Sequence, residues 1–155
     1  MPAKEGVLDL LNSMLTIELT AINQYFLAAK MCANWGFERL HQRFRALSLG
    51  EMKDAEELIE HILYLDGLPN MQRLNQIRVG ETVPEILQAG LELERGAVEF
   101  LRGAIEHCAR VGDYTTRAKF ESMIADEETH IDWFETQFAA IERVGIENYR
   151  TEQLH

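Results

Sequence analysis

Apolar residues recur at steps of three and four along four long stretches of this chain, and none of its three prolines (Pro2, Pro69, Pro84) falls inside one of them. That pattern predicts long amphipathic helices and little else. The spacing places them over about 5–33, 38–65, 83–110 and 114–143, with a short tail helix over 146–154. The first stripe runs Leu11, Leu15, Glu18, Ile22, Tyr25, Ala29, and Asn34-Trp35-Gly36 breaks it. The second runs Leu40, Phe44, Leu47, Glu51, Asp54, Leu58, Ile62, Leu65, with Gly50 mid-helix, a choice that costs roughly 1 kcal/mol relative to Ala. The third, Leu87, Leu91, Glu94, Val98, Leu101, Ile105, Cys108, opens at Thr82 as N-cap, with Pro84 in the first turn and Glu85 as capping-box partner. The fourth, capped by Asp113, runs Phe120, Ile124, Glu127, Ile131, Phe134, Phe138, Ile141 and stops at Gly145.

Each stripe carries one glutamate where a Leu or Ile belongs: Glu18, Glu51, Glu94 and Glu127. One such residue means little in a chain with 26 acidic residues, and a mis-phased helix or an ion pair explains it. Arg95 and Lys53 lie close in sequence, but neighbours at i+1 and i+2 face elsewhere on a helix. Four at once require more. The helix midpoints fall near 19, 51, 96 and 128, so at ~1.5 Å rise per residue every glutamate lies within roughly a turn of its helix centre. Carboxylates at one level of a bundle core cost several kcal/mol each unless cations meet them. His130 follows Glu127 at i+3 on the same face and adds the nitrogen donor that iron or manganese sites often include.

The connections fix the topology. The first–second and third–fourth links are short and make antiparallel pairs, whereas the second–third link is long enough to travel the length of the bundle. An all-α, ferritin-like four-helix bundle with one long crossover and a short C-terminal helix is expected, as one domain over 1–155. In such bundles two helices give a Glu each and the other two give Glu-x-x-His. Here the fourth helix supplies Glu127-Glu128-Thr129-His130, but the second reads Glu51-Met52-Lys53-Asp54, so the sixth ligand is an aspartate.

The bulk properties agree with this reading. A net charge of −11 argues against nucleic acid, and no segment has the apolar length of a membrane span. The N-terminus has charges within its apolar run and no small-residue cleavage site, and Cys32 and Cys108 make no disulfide framework, so a reducing cytoplasm is expected.

The segments TAINQYFLAAKMCANWGFERL, EMKDAEELIEHILYLDGLPN and DEETHIDWFETQFAAIERVGIENY closely resemble bacterioferritin, and the likeness spans the chain. The resemblance implies a cage subunit, in a 24-mer, that stores ferric mineral and binds b-type haem between subunits. It assigns Glu18, Glu51, Glu94, Glu127 and His130 to a ferroxidase site with Tyr25 beside them, and Met52 to the haem iron, one thioether from each of two subunits. Leu19, Ile22, Asn23, Phe26 and Leu49 would line the haem pocket, and a ferredoxin-type donor would supply electrons. Without the resemblance Met52 reads as an ordinary interface methionine. Three positions depart from the family pattern: Asp54 for the second ligating His, and Ala46 and Gly50 for a His and an Asp that hold extra iron on the cavity wall in some members. Three functions follow as alternatives: an iron-storing ferroxidase subunit, a non-catalytic haem-carrying subunit that co-assembles with a His-bearing one, or a di-iron oxidase or peroxidase acting on a small substrate.

Overall fold

The computed structural model describes residues 1–155 and contains five helices and no strand. They are α1 (Val7–Asn34), α2 (Glu38–Tyr64), α3 (Val83–Val111), α4 (Tyr114–Val144) and α5 (Ile146–Glu152). The helix α1 begins only at Val7 because Gly6, at φ 77°, is left-handed and turns the chain into it. Thr82 caps α3, its hydroxyl accepting from the Glu85 amide at 3.3 Å; the Glu85 carboxylate reaches one residue further back than a capping box requires, to the Glu81 amide at 2.7 Å. Asp113 caps α4 by accepting from the Thr116 amide at 2.9 Å.

Two apolar clusters fill the bundle, one at each end. The first joins Leu11 and Leu15 of α1 to Leu58 and Ile62 of α2, Leu101 and Cys108 of α3, and Phe120 and Met123 of α4. The second joins Tyr25 and Ala29 to Leu40 and Phe44, Leu87 and Leu91, Phe134, and Tyr149 of α5. On α1 and α4 the first cluster precedes the second in sequence; on α2 and α3 the order reverses. Hence α1 runs antiparallel to α2, α3 antiparallel to α4, and α2 parallel to α3, which only a connection spanning the bundle allows. The stripe of α4 is narrower than its sequence suggests: Phe120 and Phe134 are buried, but Ile124, Ile131, Phe138 and Ile141 are half-buried at its margins.

The α2–α3 connection has no secondary structure of its own, yet it is tied down. Asn12, Thr16, Thr20 and Gln24 stand four apart along one face of α1. Asn12 Oδ1 accepts from the Asn70 amide at 2.7 Å, Thr20 Oγ1 from the Asn75 amide at 2.9 Å, and Gln24 Oε1 from the Arg78 amide at 3.1 Å. Thr16 Oγ1 accepts from Arg73 Nε at 3.1 Å. A helical repeat of polar side chains thus satisfies an extended backbone that would otherwise lack partners. At the other end, α5 docks through Tyr149 Oη, which donates to Gln137 Oε1 at 2.8 Å, and through the Arg39 amide, which donates to the Gln153 carbonyl at 2.9 Å.

Candidate metal centre

Between the two apolar clusters lies a polar layer. Glu18, Glu51, Glu94 and Glu127 are 1%, 1%, 1% and 2% exposed, so the sheath of helices removes all four from water. His130 enters beside them, one turn beyond Glu127, with its Nδ1 at 3.3 Å from both Glu51 Oε1 and Glu94 Oε1 and 3.9 Å from Glu127 Oε2. Tyr25, fully buried in the second cluster, donates from its phenol to Glu94 Oε1 at 2.5 Å. Five carboxylate oxygens (Glu18 Oε2, Glu51 Oε1 and Oε2, Glu94 Oε2, Glu127 Oε1) and His130 Nδ1 have no hydrogen-bond partner. Unpartnered buried polar atoms are costly, and these six, gathered in one layer, are a donor set that cations would satisfy.

The donors fall into two overlapping sets. Glu51, Glu94, Glu127 and His130 present ligand atoms all within 4.8 Å of one another, and so do Glu18, Glu51, Asp54 and Glu127. Glu51 and Glu127 belong to both, the arrangement expected of bridging carboxylates between two ions. Asp54 lies at the edge of this layer, half-buried. It and His130 line a polar pocket of about 310 Å³ between α2 and α4, together with Gly50, Lys53, Glu57, Ser122, Asp126 and Thr129 and no apolar side chain.

Proton affinities record the crowding. Burial, followed by the repulsion of Glu51, raises the Glu18 carboxyl well above the ordinary range. Burial and Glu94 do the same to Glu127. Burial also pushes Asp54 up to about 7, helped by Glu51 and Asp126. Glu94 is lowered: burial opposes ionisation, but the neighbouring Glu127 and His130 and the Tyr25 phenol outweigh it. Burial alone would lower His130, yet the Glu51 and Glu94 carboxylates 3.3 Å from its Nδ1 carry it up to about 10.

The residues assigned to haem lie elsewhere, on the outward face of the α1–α2 pair. Met52 is 46% exposed, Phe26 and Leu49 are 52% exposed, Asn23 is exposed, and Leu19 and Ile22 are half-buried beneath them. Met52 leaves the core because it follows the inward-facing Glu51 by one residue. Ala46 and Gly50 are exposed on α2 and offer no donor.

Some features escape sequence reasoning. His61, buried between α2 and α4, donates from Nε2 to Thr116 Oγ1 at 2.8 Å, and that hydroxyl donates to Asp113 Oδ2 at 2.6 Å. The Arg43 guanidinium lies 4.9 Å from the Trp133 ring centroid. Nothing in the one-dimensional pattern signals either pairing. Cys32 and Cys108 are free and buried, and burial pushes their thiols up to about 12 and about 11. No helix is long and apolar enough to cross a membrane.

Comparison with known proteins agrees with this architecture. Residues 8–144 match the ferritin-like domain family. Over 149 residues, 96% of this chain, it is 49% identical to a bacterioferritin of Mycolicibacterium paratuberculosis, covering 94% of that protein. Over the same length and share of this chain it is 49% identical to a bacterioferritin of Streptomyces coelicolor, covering 89% of it, and 38% identical to one of Brucella melitensis, covering 92%. A ferritin-like bundle and near-full-length identity at this level leave one assignment: the chain belongs to the bacterioferritin family.

Proposed function

We propose that this protein is an iron-storing cage subunit that binds and oxidises Fe(II) within its own helix bundle and carries haem at a contact with a second copy. The observation that carries the reading is the layer of four buried glutamates whose oxygens lack partners and which divides the core in two. Two Fe(II) ions, as substrate, would be bridged by Glu51 and Glu127, with Glu18 and Asp54 completing one position and Glu94 and His130 the other. Each iron gives up one electron; dioxygen takes both, with two protons, and leaves as hydrogen peroxide. With peroxide as oxidant, the same two electrons and two protons yield two waters. Carboxylate oxygens favour the harder Fe(III) product, which then passes into the cage interior as mineral. Tyr25 holds Glu94 in place, and His130 and Glu127 hold protons until cations displace them.

The exposed Met52, with Leu19, Ile22, Asn23, Phe26 and Leu49, would hold haem between two copies; the group supplies electron transfer to stored ferric iron. A Met52→Leu variant should lose the low-spin haem absorption, and persistence of that spectrum removes Met52 as ligand.

The deciding experiment is anaerobic Fe(II) titration of the purified protein, followed by oxygen. Two ions bound per chain and slow oxidation are expected, with Asp54→His faster. Absence of iron binding between the helices would end the reading. Asp54, together with the donor-free Ala46 and Gly50, favours one second reading, a haem-carrying subunit that relies on a catalytic partner chain. Intact-mass analysis of native cages distinguishes them, because that reading requires two polypeptides.

A further inference from the structure

We propose that the two halves of the carboxylate layer select different ions, with iron(II) on the Glu94–His130 side and manganese(II) competing with iron(II) on the Glu18–Asp54 side. The inference rests on the dinuclear reading above and deepens it.

The asymmetry is in the donors. With Glu51 and Glu127 shared, one position is completed by a carboxylate and an imidazole, the other by two carboxylates. The first set therefore has three carboxylates and one nitrogen, the second four carboxylates and none. Imidazole strengthens the preference for iron(II) over manganese(II), in line with the usual order of divalent affinities, whereas all-oxygen surroundings suit the harder manganese(II) ion and narrow that preference.

The surroundings are unequal too. Glu94 is locked by the Tyr25 phenol, so the nitrogen-containing set is preorganised. On the opposite side Glu18 Oε2 is wholly buried and unpartnered, aimed into the all-oxygen set. Asp54 is one methylene shorter than a glutamate and lines the polar pocket of about 310 Å³. That pocket can supply water ligands to an ion that keeps part of its hydration shell. Glu57 and Asp126 on its walls add negative potential.

The test uses the intact protein, crystallised and soaked anaerobically with equal concentrations of Fe(II) and Mn(II). Anomalous differences collected on both sides of the iron and manganese absorption edges identify the ion at each position. A manganese-to-iron ratio several-fold higher beside Glu18 and Asp54 than beside Glu94 and His130 is the expected result. In Asp54→His that ratio should fall to match the other side. Equal ratios at both positions, or iron alone in both, overturn the inference while leaving the dinuclear reading intact. If neither ion occupies the space between the glutamates, both fall together.

Discussion

The phenol of Tyr25 donates to Oε1 of Glu94 at 2.5 Å, and so ties the polar layer to the apolar cluster above it. The Tyr25 ring also packs on Phe44 and Phe134, with centroids 6.0 and 6.2 Å away. Tyr25→Phe keeps that packing and removes only the donor. It should lower the stability of the metal-free protein by about 1–3 kcal/mol, the cost of stranding a buried acceptor. Iron oxidation should slow as Glu94 loses its anchor. Denaturation midpoints and single-turnover oxidation traces check both effects, and an unchanged midpoint would deny Glu94 this dependence.

The layer is a stability cost kept for a purpose. Glu18→Leu should raise the unfolding free energy of the metal-free protein by about 1–3 kcal/mol, since an unpartnered buried polar group gives way to an apolar one. The same change should remove one bound iron per chain. A variant that is less stable without metal, yet still binds two irons, would contradict the role given to Glu18.

Two glycines in helices should respond oppositely to alanine. Gly50 has nothing within 4 Å of where a Cβ would stand, so Gly50→Ala should stabilise α2 by about 1 kcal/mol. At Gly90 the added methyl would meet the ring of Phe134, which is fully buried and cannot swing aside. Gly90→Ala should therefore destabilise by about 1–3 kcal/mol through overpacking. Thermal melts of the two variants in opposite directions are the expected outcome.

His61 supplies a pH dependence away from the metal centre. Burial, followed by the charge of Lys119, holds its pKa below the usual histidine value of 6.5, against the opposing pull of Asp113. The folded state thus keeps His61 neutral while the unfolded chain takes up a proton. Its stabilising contribution is complete above 6.5 and is lost as pH falls from there toward the depressed folded value. Unfolding free energies measured across that window should decline, and His61→Gln should flatten the decline. An equal slope in the variant would assign it to other groups.

The bundle and the level of its acidic layer are legible in sequence because both rest on period. A carboxylate on an apolar stripe stands out, and equal distances from the helix centres bring Glu18, Glu51, Glu94 and Glu127 together whichever way the helices run. What period cannot convey is the rotation of one helix against another. It places Asp54 on the inner stripe of α2, whereas the structure leaves that side chain half-buried beside a polar pocket. It also widens the buried face of α4 to include Ile124 and Ile131, which lie at the margin. The Gly90–Phe134 fit and the His61–Thr116–Asp113 chain depend on which residues of two helices meet, and composition is silent there.

The crossover between α2 and α3 carries a final consequence. Long loops usually tolerate insertions because little holds their backbone. This one is pinned to Asn12, Thr16, Thr20 and Gln24 in sequence order, so its length is matched to the pitch of α1. Dropping a single residue between Asn70 and Arg78 would throw every later pin out of step. An unstructured-looking segment therefore behaves as a ruler, setting how far α3 travels before it turns down beside its neighbours.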